Sequence, residues 1–162
     1  MSSTKKKEKE LRSAACNGEI HVVRKLLNDG TVNVNGTESG GNTALHHACY
    51  CRHDKIVKLL LDHGANIEAR SENTNTPLMT ACFQDHLSTI KLLLARGASV
   101  NAANTSGDTP LHLAGYFASK KCQQALIAHG ANKRIKNKLG KNPLEPIKSL
   151  ESTLKEQFSG VF

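Results

Sequence analysis

Side chains that bind transition metals crowd into one eight-residue segment, as His46, His47, Cys49, Cys51 and His53. Imidazole nitrogens and thiolates are the ligands that Zn²⁺ prefers, so this segment could form a zinc site. It lacks, however, the paired C-x₂-C spacing of a closed tetrahedral site. Related residues also recur at a fixed interval along the chain, as Cys82, His86 and His112. Because this repetition accounts for the cluster, we predict structural roles for these side chains and no bound metal ion.

The chain also lacks the motifs that are typical of enzyme active sites. It has no phosphate-binding glycine loop, no G-x-S-x-G elbow and no H-E-x-x-H helix. Its carboxylates form no pair that the repetition leaves unexplained. We therefore expect a protein without catalytic activity and without a cofactor.

The strongest pattern is a four-residue phrase that begins at Thr43, Thr76 and Thr109, which is every 33 residues. A closing phrase keeps the same interval, as Gly64-Ala65-Asn66, Gly97-Ala98-Ser99 and Gly130-Ala131-Asn132. A fixed period of this length is typical of stacked modules, each of which covers the apolar face of its neighbour. Such a stack has a long shallow face, which favours surface contact over catalysis in a deep cleft.

Each unit of the pattern predicts two helices. Threonine is a good N-cap, and the proline that follows it, Pro77 or Pro110, suits the first helical position. Apolar residues at i, i+3 and i+4, such as Leu45, Ala48 and Cys49, give the first helix one buried stripe. The second helix is rich in leucine and ends at a glycine, which suits the left-handed backbone of a helix C-terminus.

Length and composition set limits on the class of protein. The 162 residues suit one domain of about four units. No apolar run approaches the roughly 18 residues that cross a bilayer, and residues 1–9 lack an apolar leader segment. An odd count of five cysteines indicates reduced thiols and no disulfide framework. We expect a protein of the cytoplasm, the nucleus or both.

The phrase Thr-Pro-Leu-His-Leu-Ala at 109–114 and the run Leu-Leu-Leu…Gly-Ala-Asn-Ile-Glu-Ala at 59–69 resemble the ankyrin repeat family. The resemblance implies an all-α repeat fold, an α-solenoid of stacked helix–turn–helix units with β-hairpin or loop tips. It also implies a concave groove lined by the hairpins and the first helices. We expect a basic flexible tail at 1–8 and one repeat domain at 9–158. Its units would span 9–36, 38–72, 73–105 and 106–138, with a C-terminal cap at 139–158.

Some positions depart from the repeat. Residues other than glycine stand where another unit has glycine, namely Thr74, Arg52, Asp85 and Ala118. If these positions have positive φ, the side chains strain or reshape the turn. In the fourth unit Gln123 and Gln124 begin a stretch that replaces apolar residues, so we expect its second helix to pack most loosely. One helical stripe could close the C-terminal end of the stack, and its residues are Ile147, Leu150, Leu154 and Phe158.

Aromatic residues recur seven positions after each threonine, and one more adjoins the last, giving Tyr50, Phe83, Tyr116 and Phe117. In the geometry of the family this position faces the groove, so the four rings would form a ladder along it. Aromatic anchors dominate the energy of many interfaces, so the ladder predicts a protein partner, either a peptide or a folded domain. The alternative is that the rings pack over the loop between the two helices.

Polar residues complete the predicted partner-binding surface, and they are Asn42, Asn75, Asp108, Glu72 and Gln84. The first three directly precede the repeated threonines and should project at the rim of the groove, where they would set specificity. The alternative for each of them is ordinary turn chemistry. His46 and His112 match the structural histidine of the family, which implies hydrogen bonds between neighbouring units, whereas Met79 interrupts this series.

The net charge of +8 lies mainly at the two ends of the chain. Residues 13–132 carry ten basic and nine acidic side chains. A predicted hairpin near the C-terminus forms a basic edge, with Lys133, Arg134, Lys136, Lys138 and Lys141. This edge could bind acidic protein or act in nuclear import, and the alternative is a solvated edge that prevents aggregation. No aromatic residue interleaves with these cations, which disfavours single-stranded nucleic acid as a ligand.

The sequence is therefore interpreted as a non-catalytic adaptor, monomeric on its own, that binds a protein partner along the groove and needs no membrane. Two alternatives stay open. One is a charge-driven regulator that binds nucleic acid or acidic protein tails through the basic ends, and the other is a fixed subunit of a larger assembly. Asn101 also resembles the hairpin asparagine that asparaginyl hydroxylases modify in this family.

Overall fold

The computed structural model describes residues 3–145, which fold into eight helices arranged in four pairs. The helices are α1 (Ser3–Asn17), α2 (Ile20–Asn28), α3 (Ala44–Tyr50), α4 (Asp54–Asp62), α5 (Pro77–Phe83), α6 (Leu87–Ala95), α7 (Pro110–Tyr116) and α8 (Lys120–Ala128). Longer loops join one pair to the next and form the hairpin tips. No strand occurs between residues 3 and 145, so these tips are turns.

The repeated threonines begin the first helix of their units, as predicted. Thr43 Oγ1 accepts a hydrogen bond from the backbone N–H of His46 at 3.4 Å, and Thr76 Oγ1 accepts one from Met79 at 3.2 Å. Pro77 and Pro110 occupy the first turn of α5 and α7. An N-cap of this kind stabilises a helix by about 1 kcal/mol, so the phrase fixes where each first helix starts.

The first helices α1, α3, α5 and α7 pack in chain order, and the second helices α2, α4, α6 and α8 pack in the same order. Each first helix carries one completely buried alanine at the equivalent position, in order Ala15, Ala48, Ala81 and Ala114. These methyl groups let neighbouring helices approach closely, and aliphatic side chains complete a continuous core. The predicted all-α repeat stack is confirmed.

Turns between the elements have the left-handed backbone that the glycine pattern predicted. At the hairpin tips φ is +72° at Gly41, +56° at Thr74 and +76° at Gly107. Positive φ also occurs in the turns between paired helices, at Arg52, Asp85 and Ala118. Side chains with a Cβ are strained in this region, and a β-branched residue such as threonine is strained most.

Backbone hydrogen bonds join the hairpin tips of successive units. The N–H of Glu72 donates to the carbonyl of Gly40 at 2.9 Å, and the N–H of Lys138 donates to Ser106 at 3.0 Å. A Cβ on Gly41 would lie only 2.8 Å from the backbone nitrogen of Glu72. Gly41 is therefore needed both for its φ and for the close approach of the next tip.

The predicted flexible tail at 1–8 is wrong from residue 3 onward, because α1 begins at Ser3 and runs without a break to Asn17. Lysine and glutamate, which dominate this segment, are good helix formers. Leu11 and Ala14 of α1 are buried, and Lys7 forms an ion pair with Asp29, which directly follows α2. The first unit thus starts before Lys9.

The second helix of the fourth unit is the one that buries least, as expected. Within α8 only Cys122 and Leu126 are buried, whereas α4 and α6 each bury four residues. Beyond α8, the carbonyl of Pro143 lies so close to Gly115 that a Cβ there would be 2.2 Å from its oxygen. The predicted cap stripe from Ile147 to Phe158 lies outside the described residues.

Candidate functional site

Two of the predicted aromatic residues stand at the ends of first helices and reach into one hollow. Tyr50 ends α3 and Phe83 ends α5, and about half of each side chain is exposed, 53% and 51%. The hollow, which we call the groove, has a volume of about 460 Å³ and is lined by hairpin tips and by the first helices of three successive units. The repeat thus places equivalent aromatic rings side by side on one surface.

Phe117 extends the aromatic surface to the next unit. Its ring centroid lies 5.1 Å from that of Phe83, and the two ring planes meet at 81°. Such an edge-to-face pair is favoured by the ring quadrupoles. Since Phe117 is itself 49% exposed, three half-exposed rings belong to three successive units.

Tyr116 and Asp108 do not take the positions that the sequence predicted. The Tyr116 hydroxyl donates to Asp108 Oδ1 at 2.5 Å and accepts from Asn137 Nδ2 at 3.0 Å. Asn137 Nδ2 also donates to Asp108 Oδ1 at 2.8 Å, and Asp108 is only 8% exposed. Burial and the bond to Asp108 raise the pKa of Tyr116. The expected rim position of Asp108 is wrong, because its carboxylate joins two units from inside the stack.

The other predicted polar residues divide between the groove and its surroundings. Asn42, Asn75 and Glu72 line the groove, and Glu72 is exposed. Asn75 Oδ1 accepts a hydrogen bond from Asn104 Nδ2 at 2.9 Å, so Asn75 also joins neighbouring units. Gln84 is half-buried and is not among the residues that line the groove.

Some lining residues were missed by the sequence analysis. Thr80 and Leu113 line the groove and stand at equivalent positions, three residues before the aromatic position of their units. Positions i and i+3 share one face of a helix, so the helical period could have found them. Ser71 and Asn73 of the second hairpin tip also line the groove. Their positions depend on how successive tips stack, which the sequence does not show.

The two repeated histidines join units as the resemblance implied. Nε2 of His46 donates to the carbonyl of Asn75 at 3.0 Å, and Nε2 of His112 donates to that of Lys141 at 3.0 Å. Their Nδ1 atoms accept from the backbone N–H of Thr43 and Thr109. Met79 occupies the equivalent position in the third unit and has no ring that could form this bridge. Burial lowers the pKa of His46, although the bond to Asn75 opposes this shift.

The histidine and cysteine side chains at residues 46–53 do not converge on one point where a metal ion could bind. Cys49 is buried, His47 faces Glu38, and Nε2 of His53 donates to the carbonyl of Cys16 at 2.9 Å. Within residues 3–145 no three histidine, cysteine or acidic side chains come together as metal ligands would. His46, His47, Cys49 and His53 thus each have a separate structural environment, and Cys51 contacts Cys16 of the first unit.

The family model for ankyrin repeats (3 copies) matches residues 3–71 and 67–137 of the chain. The chain belongs to the ankyrin repeat family. Ankyrin repeats are generally modules for protein–protein interaction and are typically non-catalytic. No curated protein matches the chain. The match begins at residue 3, in agreement with the start of α1.

The basic edge of this ankyrin stack is exposed. All five of its members, Lys133, Arg134, Lys136, Lys138 and Lys141, lie on the surface. None of them takes part in the ion pairs found among residues 3–145. In the same part of the chain, no helix combines the length and the apolar character that crossing a membrane requires.

Asn101 lies in the exposed loop after α6, and its side chain reaches the next ankyrin unit. Asn101 Nδ2 donates to the carbonyl of Gly130 at 3.1 Å, and Oδ1 accepts from the backbone N–H of Asn132 at 2.8 Å. Hydroxylation of Asn101 stays a prediction. Mass spectrometry of the protein from native cells tests it through a mass increase of about 16 Da on the peptide that contains Asn101.

Proposed function

We propose that this ankyrin repeat protein is a non-catalytic adaptor that binds a protein partner in the groove. The observation that carries the proposal is the row of half-exposed rings formed by Tyr50, Phe83 and Phe117. The chain has only six aromatic residues, and three of them lie on this surface and not in the core. Large exposed apolar side chains that gather on one surface are typical of interaction sites.

The chemistry around the rings suits a polypeptide. Asn42 and Asn75 present amide groups and Glu72 presents a carboxylate beside the apolar surface of Tyr50 and Phe83. A polypeptide segment offers apolar side chains to the rings and backbone N–H groups to the polar rim. Interfaces combine aromatic anchors with a polar rim in the same way.

The backbone that carries Tyr50 and Phe83 is also held in place before a partner arrives. Tyr50 and Phe83 each end a first helix whose start is fixed by a threonine cap, and the histidine bridge of His46 connects the second unit to the hairpin tip of the third. A surface whose backbone is already ordered in the free protein loses less entropy on binding, which strengthens affinity. We place this interaction in the cytoplasm or the nucleus, where reduced cysteines persist.

Affinity capture from native cells, followed by titration of the purified partner, tests the proposal. The double variant Tyr50→Ala/Phe83→Ala should weaken binding at least about 30-fold, because the loss of even one anchor residue of this type costs about 2 kcal/mol. Leu139→Ala is the matched control, since Leu139 is 81% exposed and lies outside the groove. Circular dichroism confirms that all variants are folded.

Equal affinity of the wild type and the double variant would refute binding through the groove. A charge-driven regulator gives a different result. Neutralising Lys133, Lys136 and Lys138 would then abolish binding, and affinity would fall steeply as the salt concentration rises. For the groove we expect a shallow salt dependence and little effect of the lysine variant.

A further inference from the structure

The five cysteines of the described chain fall into two groups. Cys49, Cys82 and Cys122 are buried in the core, and burial raises the pKa of each thiol. Cys16 and Cys51 are only half-buried, and their sulfur atoms lie 3.0 Å apart. Partial burial and the contact with Cys16 raise the pKa of Cys51 to about 11, so the two groups differ in exposure and not in the direction of this shift. The two accessible thiols are thus the two that touch each other.

The repeat explains one of these two residues and leaves the other unexplained. Cys16 is equivalent to Cys49 and Cys82 in the following units, so it is the ordinary residue at this core position. Cys51 stands in the turn after α3, where the next units have Gln84 and Phe117. A thiol at this turn position occurs in the second unit alone among the units described.

The backbone around the pair is fixed by contacts that do not involve the thiols. The carbonyl of Cys16 accepts a hydrogen bond from Nε2 of His53, two residues after Cys51. The ring of His53 also lies against Gly18, where a Cβ would be 2.7 Å from Cε1. The end of α1 and the turn after α3 are therefore held together, and the thiols are kept close.

The separation of the two sulfurs is too short for a metal bridge. Two thiolates on one tetrahedral Zn²⁺, each about 2.3 Å from the metal, stand about 3.8 Å apart. A disulfide bond has a length of about 2.05 Å, so a shift of about 1 Å takes the pair from contact to bond. Contact at 3.0 Å thus suits direct bonding between the sulfurs.

We propose that Cys16 and Cys51 are a redox modification site that forms a reversible disulfide between the first and second ankyrin units, with a small-molecule disulfide such as glutathione disulfide as the oxidant. This inference is independent of what the groove binds. Besides the peptide chain that joins successive units, it adds a covalent cross-link between residues 35 positions apart.

The reaction proceeds by two exchanges. The thiolate of one cysteine attacks a sulfur of glutathione disulfide, which breaks the glutathione S–S bond, forms a mixed disulfide and releases one glutathione thiolate. The second protein thiol loses its proton and attacks the protein sulfur of the mixed disulfide. This step forms the Cys16–Cys51 bond and releases the second glutathione. Two protein thiols are oxidised, one glutathione disulfide is reduced to two thiols, and the two protein protons end on the glutathiones.

Disulfide formation should slow local opening of the first unit. This unit lies at one end of the stack formed by residues 3–145, and within it α1 packs on the next first helix on one side only. End units of a repeat stack open most readily. A bond between the end of α1 and the turn after α3 keeps the unit attached, so hydrogen exchange of α1 amides should slow at least about tenfold.

Equilibration of the full chain with defined ratios of reduced and oxidised glutathione tests the proposal. Free thiols are then alkylated, and the intact mass and the non-reduced peptides are measured. Relative to the reduced and alkylated protein, we expect an intact mass lower by two alkyl additions plus about 2 Da. We also expect a peptide pair that joins Cys16 to Cys51, and return to the dithiol with excess reduced glutathione. Both Cys16→Ser and Cys51→Ser should abolish the linked peptide, whereas the control Cys122→Ser should retain it.

The wild-type result decides the proposal even if a variant folds poorly. Alkylation of both cysteines at every glutathione ratio would overturn it. Separate glutathione adducts on Cys16 and Cys51, or a linked peptide that joins other cysteines, would also overturn it.

Discussion

The backbone at Thr74 gives a prediction whose size can be worked from the structure. Thr74 holds φ at +56° in the hairpin tip beside the groove, where the two neighbouring tips have glycine. A residue with a Cβ costs about 1 to 2 kcal/mol in this region. Glycine removes this cost but loses about 0.5 to 1 kcal/mol through the greater freedom of the unfolded chain. The difference lies between about 0 and 1.5 kcal/mol, and because threonine is β-branched and strained most at positive φ, Thr74→Gly should stabilise the protein by about 1 kcal/mol.

Gly41 provides the reciprocal test at the equivalent position. Gly41→Ala adds the same left-handed strain and places a Cβ 2.8 Å from the backbone nitrogen of Glu72. It should also weaken the bond from Glu72 to Gly40, which is worth about 1 kcal/mol. The expected loss is about 2 kcal/mol in total.

Equilibrium urea denaturation, followed by far-UV circular dichroism, measures both changes. The urea midpoint should rise for Thr74→Gly and fall for Gly41→Ala with unchanged slopes. A midpoint for Thr74→Gly at or below that of the wild type would refute the argument from backbone strain. Affinity for the partner provides a second readout, because Asn73 and Asn75 on either side of Thr74 line the groove.

Three further predictions concern buried contacts. Because burial lowers the pKa of His46, the unfolded state binds more protons than the folded state below about pH 6.5, so the free energy of unfolding falls as the pH falls. His46→Met introduces the residue that the next unit has at this position. Denaturation curves between about pH 7 and pH 5 should then show a smaller loss of stability for the variant than for the wild type. Tyr116→Phe removes the hydroxyl that donates to Asp108 and should cost about 1 to 2 kcal/mol by urea denaturation, and an unchanged midpoint would contradict the network. Gly115→Ala should displace the segment at Pro143 and speed hydrogen exchange there, while equal exchange in both proteins would show that the close approach is absent.

The repeated features of this protein were predictable because each depends on residues close in sequence. A threonine cap, a helical stripe and a positive-φ turn each depend on neighbouring residues, and all three recur in the units that are marked by Thr43, Thr76 and Thr109. The bridges of His46 and His112 followed from the resemblance to ankyrin repeats. The exposure of Tyr50 and Phe83 followed from their positions at the ends of α3 and α5.

What the sequence could not show are the contacts that differ from one unit to the next. The Tyr116 hydroxyl finds Asp108 and Asn137 only because a carboxylate, a phenol and an amide meet across two units, and no other unit described has all three. The contact between Cys16 and Cys51 also depends on the shorter turn that ends α1. The helix at residues 3–8 was missed because its charged composition resembles that of a solvated tail.

Met79 stands where the second and fourth units have a bridging histidine, and this difference has a mechanical consequence. The buried histidine of the second unit connects α3 to the following hairpin tip, and that of the fourth unit connects α7 to the segment after it, but the junction from the third to the fourth unit lacks such a bridge. At this junction the surface rings of Phe83 and Phe117 meet instead. When force is applied to the two ends in an optical trap, we expect the junction between the third and fourth units to be the most compliant of the stack. A ligand that binds both Phe83 and Phe117 should make this junction stiffer.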